Sequence, residues 1–596
     1  MTESNGASNT PKPSKAEAIK EASGYLRQWV AEDLGNDLTH FSEEAAAVLK
    51  FSGTYQQDDR DVRLKLKREK QEKAYSLMVR VRIVGGRLTA DQYLACDELA
   101  REVGNSTLRI TTRQELQLHG VLKRDLAVTI RHINEQLLST LAACGDVERN
   151  VLACSAPIKD RVHEEMIEDA RVWAAHAAPR STAYCDIWLD GEKYASLPDA
   201  GPPLLSQPGD DPVEPILGKT YLPRKFKTAF AFPDDNCTDI HANDLGYLAI
   251  VEDGRIVGYN VLVGGGMGTT PSADKTFPFL AVPLCYVPRD QIRQIGEAVI
   301  RVFRDFGNRS DRKRARLKYV ISDWGIEAFR AKVEEYIGRR LDDPLPVTVT
   351  DVDDHMGWSE QGDGKLFLGI PVENGRIKDE GSLRLFSGLR AFVEKYKTPV
   401  RLTCQQKLIL ADLEPAWRDE VNSWLEEYGI ASVEKISNAR RWSMACPALP
   451  TCGLAVTDAE RALPSVIDQL EAELARQGLE GERLTVRMTG CPNGCARPYN
   501  SDIGLVGRSA KLGPDGVPGP GTYTILLGGR AIGDRLNVEF KDYVPHDQIV
   551  AELSPVFARF VADRIGDETF GDFCDRVGVA ELGGVPATAE AEAATA

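Results

Sequence analysis

TLRITTRQELQLHGVL, residues 107–122, is the stretch on which the reading of this chain turns. Apolar and polar residues alternate through it, the period of a strand with one buried face. It also has a second copy. VRLTCQQKLIL at 400–410 matches it with Arg109 against Arg401, a separation of 292 residues. The same separation pairs Thr111 with Thr403, Gln114 with Gln406, Leu116 with Leu408 and Leu118 with Leu410. Downstream it sets RNVLACSA at 149–156 on RWSMACPA at 441–448, with Arg149 on Arg441 and Cys154 on Cys446. One fixed separation across two segments reads as an internal duplication.

Working outward, YSLMVRVRI at 75–83 alternates like a strand, Gly85 and Gly86 turn it, and DQYLACDELAREVG at 91–104 has the spacing of an amphipathic helix. The second copy repeats the order with KLFLGIPVENGRI at 365–377 and a helix to about Lys397. Each half is therefore a strand–helix–strand unit followed by a larger α/β segment, an α+β chain overall. The expected division is an N-terminal arm over 1–73, a first half-domain over 74–159, a large segment over 160–345, a second half-domain over 346–425, a cysteine-bearing segment over 426–582 and a tail over 583–596. Within the arm, 1 to about 15 reads as disordered, Lys15 to Leu34 as a helix, and YQQDDRD at 55–61, on pattern alone, as a solvated loop. A Pro/Gly/Asp-rich loop is expected between Pro198 and Pro215, and the low-complexity tail is expected to be disordered.

The 596 residues allow several domains, and 42% hydrophobic with 27% charged residues is ordinary for a soluble globular protein. No apolar run approaches a membrane span, and TESNGASNTPKPSK after Met1 offers no apolar core of the kind expected in a signal peptide. A formal net charge of −16 argues against a general nucleic-acid binder. The 12 scattered cysteines suit a reducing, cytoplasmic setting rather than a disulfide framework.

Four of those cysteines gather in CPALPTC at 446–452 and MTGCPNGCARP at 488–498. Cys446, Cys452, Cys491 and Cys495 stand among Pro, Gly and Asn, with Gly453, Gly490 and Gly494 expected to give the backbone room to fold round a compact inorganic group. Four thiolates suit soft metals. An iron–sulfur cluster, a zinc ion and buried or bridged thiols all remain open, though neither pair has the Cys-x-x-Cys spacing usual for structural zinc. The other eight cysteines show no second ligand set and read as core thiols.

The paired CPALPTC and TGCPNGCARP resemble the signature of the sulfite and nitrite reductase hemoprotein family, and the resemblance extends from YQQDDRD to FGDFCDRVG at 570–578. It implies two ferredoxin-like half-domains and two siroheme- and cluster-binding domains about a pseudo-two-fold. It implies that Cys446, Cys452, Cys491 and Cys495 hold a 4Fe–4S cluster, with Cys495 also the siroheme ligand. A polycarboxylate cofactor and an oxyanion substrate both need cations in a partly dry pocket. Read as one strand, LRITTRQELQLHG turns Arg109, Thr111, Arg113, Gln117 and His119 to one face, and by resemblance these contact siroheme. Arg80, Arg149, Lys225 and Lys227 are implied as substrate ligands, Lys225 and Lys227 being two apart and so on one side of an extended segment. In GNRSDRKRAR, Arg309 is the residue placed nearest siroheme, the alternative being a solvated helix face; GGGMG at 264–268 is not a phosphate loop but a tight turn, near the cofactor on this reading.

The implied activity is six-electron reduction of sulfite to sulfide, with nitrite to ammonia as the sister reaction. Because nitrite-specialised members tend to have Asn at the position of Lys227, sulfite is the expected substrate. The chain shows no flavin or nicotinamide fingerprint, so electrons are expected from ferredoxin or an NADPH-linked flavoprotein subunit. An iron–sulfur electron carrier without a substrate site, and a zinc-stapled binding protein, are the readings from other classes.

Overall fold

The computed structural model describes residues 12–180, 214–270, 273, 275–513 and 516–585. The expected disorder of the first residues and of the tail, and most of the loop after Pro198, lie outside these. The run 107–122 is two strands, not one. Leu108–Ile110 and Leu116–Val121 pair as an antiparallel hairpin with Leu108 opposite Leu118, Arg109 opposite Gln117 and Ile110 opposite Leu116. Thr111 makes the turn: its hydroxyl accepts from the Arg113 and Glu115 backbone N–H groups, and Gln114 takes a left-handed conformation at φ 57°. The second copy repeats this closely. Val400–Leu402 pairs with Leu408–Leu413, the Thr403 hydroxyl accepts from Lys407 N–H, and Gln406 sits at φ 62°. Even the glutamine amides match, Gln114 donating to the Ala153 carbonyl and Gln406 to that of Ala445.

Each hairpin is the centre of a five-stranded sheet, and each sheet borrows its last strand from the other half. The first runs Thr54–Asp58, Tyr75–Val81, Leu116–Val121, Leu108–Ile110 and then Arg376–Ile377 from the second copy. The second runs Gly357–Glu360, Leu366–Ile370, Leu408–Leu413, Val400–Leu402 and then Arg87–Leu88 from the first. Arg376 lies opposite Arg109, and Arg87 opposite Arg401, which are the same contact under the duplication. Gly86 and Gly375 make the crossings possible. Both have positive φ, and a Cβ would fall 2.2 Å from the Leu402 carbonyl oxygen at one and 2.4 Å from that of Ile110 at the other.

Besides the short pair Asp379–Glu380 with Leu383–Arg384 there are two larger sheets: Thr228–Ala231 to Val282–Pro288 with four strands, and Ser443–Ala445 to Val538–Pro545 with five. One apolar core extends from Leu26 through both half-domains to Ile430, and a second, Ala439 to Leu582, lies under the cysteine-bearing segment. The arm departs from expectation twice. The helix from Lys15 stops at Ala22 and resumes over Val30–Leu34, because Tyr25, Leu26 and Trp29 take positive φ. YQQDDRD is a loop only over its last three residues, since Thr54–Asp58 is an edge strand on Tyr75–Val81.

Candidate functional site

Ser443–Ala445 and Val486–Thr489 are adjacent parallel strands, so the loops carrying Cys446 and Cys491 leave the same end of one sheet. Gly490 allows them to meet: a Cβ there would lie 2.5 Å from both the Ala448 Cβ and the Thr457 carbonyl oxygen. Gly494 has φ 62°, whereas Gly453 faces open space with an ordinary backbone and needs no glycine for the turn; Ala448 and Arg497 take left-handed conformations instead. Gly490 N–H donates to Cys446 Sγ at 3.3 Å and the Asn493 amide to Cys491 Sγ at 3.4 Å. Burial pushes the Cys446 thiol well up and Cys491 to about 12. Thiolates there need a strongly cationic partner. Among the described residues the one group of donors that closes to single-ion distance lies elsewhere, so this quartet is spread for a larger object than one zinc ion. Buried thiols, N–H···S bonds and that spread fit a 4Fe–4S cluster.

Cys495 alone of the four is exposed, between buried Gly494 and Ala496. The GGGMG turn closes on its loop: Thr269 N–H donates to the Pro492 carbonyl, and Gly268 would meet the Asn493 carbonyl if it carried a Cβ. That turn therefore lies beside the cysteine loop, as expected. Arg497, two residues on, donates to the carbonyls of Thr112 and Cys404, equivalent positions in the two hairpin turns. It thus ties both half-domains to the cysteine loop.

Towards Cys495 the first half-domain presents a row of polar side chains across four strands: Arg80 opposite Gln117, Gln117 opposite Arg109, Arg109 opposite Arg376. With its amide oxygen turned to Arg80, Gln117 accepts from Nε at 3.1 Å and Nη2 at 2.5 Å. His119 Nε2 lies 3.3 Å from the same amide, and burial beside Arg376 and Arg109 keeps its ring neutral. Arg80 and Arg149 converge on Cys144 Sγ at 2.9 and 3.2 Å. Phe226 is buried against Phe303, which turns its neighbours Lys225 and Lys227 together to the other side. Among the described residues neither ammonium has an ion-pair or hydrogen-bond partner. Burial, then Arg224 and Arg316, lower Lys225 to about 7; burial, then Lys225, lower Lys227 well below the usual lysine value. Cys495 is close enough to act electrostatically on Arg80, Arg109 and Lys225.

Several expected residues are placed otherwise. Thr111 is spent on the hairpin turn. Arg113 donates to Asn243 Oδ1 at 2.8 Å and to the carbonyls of Asn150 and Thr228. Arg109 pairs with Glu460 and donates to the Ala445 carbonyl at 2.7 Å, directly before Cys446. Arg309 is not at the site: it pairs with Glu17 at 2.6 Å and fastens the N-terminal helix, where Lys20 meets Glu17, Asp146 and the Leu222 carbonyl. Sequence reasoning missed Glu460, which binds both Arg109 and Arg376, and Cys144 between the two arginines. Nothing in their local sequence marks either one; only the fold does.

A family model described as the nitrite and sulphite reductase 4Fe–4S domain matches residues 168–341, and one described as the nitrite/sulfite reductase ferredoxin-like half domain matches 69–136 and again 359–428. The first falls on the copy without the cysteine quartet, as a duplicated chain allows. The chain belongs to the nitrite and sulfite reductase family. It is 44% identical over 579 residues to the sulfite reductase (ferredoxin) of Synechococcus elongatus, covering 95% of this chain and 90% of that protein. It is 45% identical over 565 residues to the sulfite reductase (NADPH) hemoprotein beta-component of Methylorubrum extorquens, covering 94% and 89%. The solved structure of the Mycobacterium tuberculosis NirA protein superposes with a TM-score of 0.75 at 25% identity, covering 96% of this chain and 98% of that one.

Proposed function

We propose that this chain is a sulfite reductase, reducing sulfite to sulfide with six electrons, with Cys446, Cys452, Cys491 and Cys495 as ligands of a 4Fe–4S cluster and Cys495 as the siroheme ligand. The carrying observation is the pair Lys225 and Lys227, half-buried and without an ion-pair or hydrogen-bond partner among the described residues, with Lys225 within electrostatic reach of Cys495. Two cations so placed are costly unless an anion lies between them. Siroheme and the cluster, when bound, supply an electron path to the substrate sulfur. The chain supplies the rest. Arg80, Arg149, Lys225 and Lys227 hold the oxyanion and polarise its S–O bonds, and the two lysines deliver protons as each oxygen leaves as water. Lys225, with a pKa near neutrality, is suited to give and regain a proton at each turn. Arg109, Gln117 and His119 line the cofactor side of the row; we assign Arg376 to it as well.

Electrons come from ferredoxin or an NADPH-linked flavoprotein, and an exposed basic strip suits an acidic donor. Helix Arg63–Arg68 with Lys65, Lys67, Arg68, Lys70 and Lys73 exposed lies against the cluster loops, where Arg60 donates to the Pro450, Cys452 and Ala455 carbonyls. No described helix is long and apolar enough to cross a membrane, and the free cysteines support a cytoplasmic placement. The test is an assay of purified protein with reduced viologen, measuring sulfide from sulfite and ammonia from nitrite. Sulfide as the favoured product is expected; ammonia with little sulfide makes this a nitrite reductase, and neither product removes the reading.

A further inference from the structure

We propose a second metal site, for one zinc ion, formed by Cys154, Cys237, His355 and Asp235 on the side of the molecule opposite in pseudo-symmetry to the cysteine quartet. The four donor atoms lie within 4.8 Å of one another. Cys154 Sγ is 3.2 Å from Asp235 Oδ2 and 3.4 Å from His355 Nε2, and those two are 3.1 Å apart. Tetrahedral zinc with bonds of about 2.3 Å to sulfur and about 2.0 Å to nitrogen or oxygen needs donors roughly 3.3–3.8 Å apart. The three separations among Cys154, Asp235 and His355, 3.1–3.4 Å, are at or just under that size, and Cys237 closes the group within 4.8 Å. Two sulfurs, an imidazole and a carboxylate are donors zinc accepts, and iron–sulfur chemistry has too few thiols here.

The surrounding residues aim these donors. Asp235 uses Oδ1 to accept from the Cys237 and Asp353 backbone N–H groups, which leaves Oδ2 towards the centre. His355 presents Nε2 inward, its backbone N–H donates to Asp353 Oδ1 at 2.9 Å, and its Nδ1 faces the Asp353 carboxylate at 3.7 Å, beyond hydrogen-bond reach. His355 holds a left-handed backbone at φ 55°, a conformation costly for a histidine unless its surroundings demand it. Its carbonyl is locked too, since a Cβ at Gly369 would fall 2.1 Å from it. The donors come from three remote segments, with partners 81, 120 and 201 residues apart. Cys154 ends the segment that runs beside Thr228–Ala231, Asp235 and Cys237 follow that strand, and His355 precedes the first strand of the second half-domain. An ion here fastens the first half of the chain to the entry of the second.

Under the duplication Cys154 is the counterpart of Cys446, so the first copy carries a thiol at the matching position within a different set of donors. The expectation that the remaining cysteines hold no second ligand set is corrected here. This assignment does not depend on the reaction the chain catalyses.

The test is metal analysis of the purified full-length protein grown with added zinc, joined to zinc K-edge absorption spectroscopy. One zinc per chain with two sulfur and two nitrogen or oxygen neighbours is expected. Cys237→Ser and His355→Ala should each lose that zinc while siroheme absorbance and iron content stay at wild-type levels. Zinc well below one per chain, zinc without sulfur neighbours, or zinc retained in both variants overturns the site. So does a Cys154–Cys237 disulfide found by peptide mapping of the unreduced protein. If the variants do not accumulate, the wild-type spectrum alone decides between these outcomes.

Discussion

At the scale of single residues the two lysines carry the testable chemistry. Lys225 has a pKa lowered to about 7 by burial, whereas an unfolded lysine titrates near 10.4. Between those values the unfolded chain binds the extra proton, so without anion this group lends stability as pH rises and withholds it below about 7. A bound anion restores the proton. Nitrite, which does not itself titrate in this range, should therefore bind with proton uptake at pH 8, shared by Lys225 and the similarly lowered Lys227, and its affinity should fall as pH rises above 7. Calorimetry in two buffers of different ionisation enthalpy reads the uptake, and Lys225→Met should lower it; binding without uptake in the wild type would contradict the assignment. Lys227→Asn should lower kcat/KM for sulfite by about 30- to 1000-fold, the effect of losing roughly 2–4 kcal/mol of charge stabilisation, and lower nitrite less. Sulfite is the more highly charged anion and loses three oxygens. The ratio of the two kcat/KM values with an artificial reductant checks this, and an unchanged ratio would make Lys227 a structural residue. Motif and spacing single out the cysteines and these lysines whatever the local backbone does. The single strand face drawn through Arg109, Thr111, Arg113, Gln117 and His119 was misread because alternation assumes a straight strand, and a five-residue turn intervenes. Arg309 was misread because its ion-pair partner, Glu17, is 292 residues away in a helix whose docking nothing local announces.

At the scale of elements the crossing of the two copies depends on Gly86 and Gly375. A left-handed backbone costs an alanine about 1–2 kcal/mol, and forcing a methyl group against a carbonyl adds about 1–3 more. Gly338 has φ 73° with nothing within 4 Å of a Cβ, so it bears only the first cost. Gly86→Ala and Gly375→Ala should each lower Tm by clearly more than Gly338→Ala in thermal scans of the loaded protein. Equal shifts would mean that the exchanged strands are not held by these close approaches. The helix Ala90–Glu102 and the repetition of its unit were present in the sequence pattern, whereas each hairpin was read as a single strand. The exchanged strands were not, because Arg87–Leu88 and Arg376–Ile377 are two residues long, too short for any periodicity to show.

At the scale of the whole molecule, a chain of net charge −16 still gathers cations in a pocket and, with Lys65, Lys67, Arg68, Lys70 and Lys73 exposed, in the Arg60–Lys73 strip beside the cluster loops. Charge reversal at Lys65 and Lys67, both exposed and far from the lysine pair in sequence, should raise KM for an acidic ferredoxin several-fold at low salt, with the difference shrinking as salt rises. Viologen-driven turnover should not change; if it falls equally, the strip is not a docking surface. The duplication told from sequence that there are two halves, but not that each holds a piece of the other. That exchange has a consequence for synthesis on the ribosome. Leu108–Ile110 emerges early, yet the strand that covers its free edge is made only with Arg376, 267 residues later. At about 5–20 residues per second the nascent sheet waits roughly 15–50 seconds with a row of amide and carbonyl groups open to any other chain. Truncated products would never close it, so the hazard of aggregation for this protein lies in interrupted translation as much as in heat.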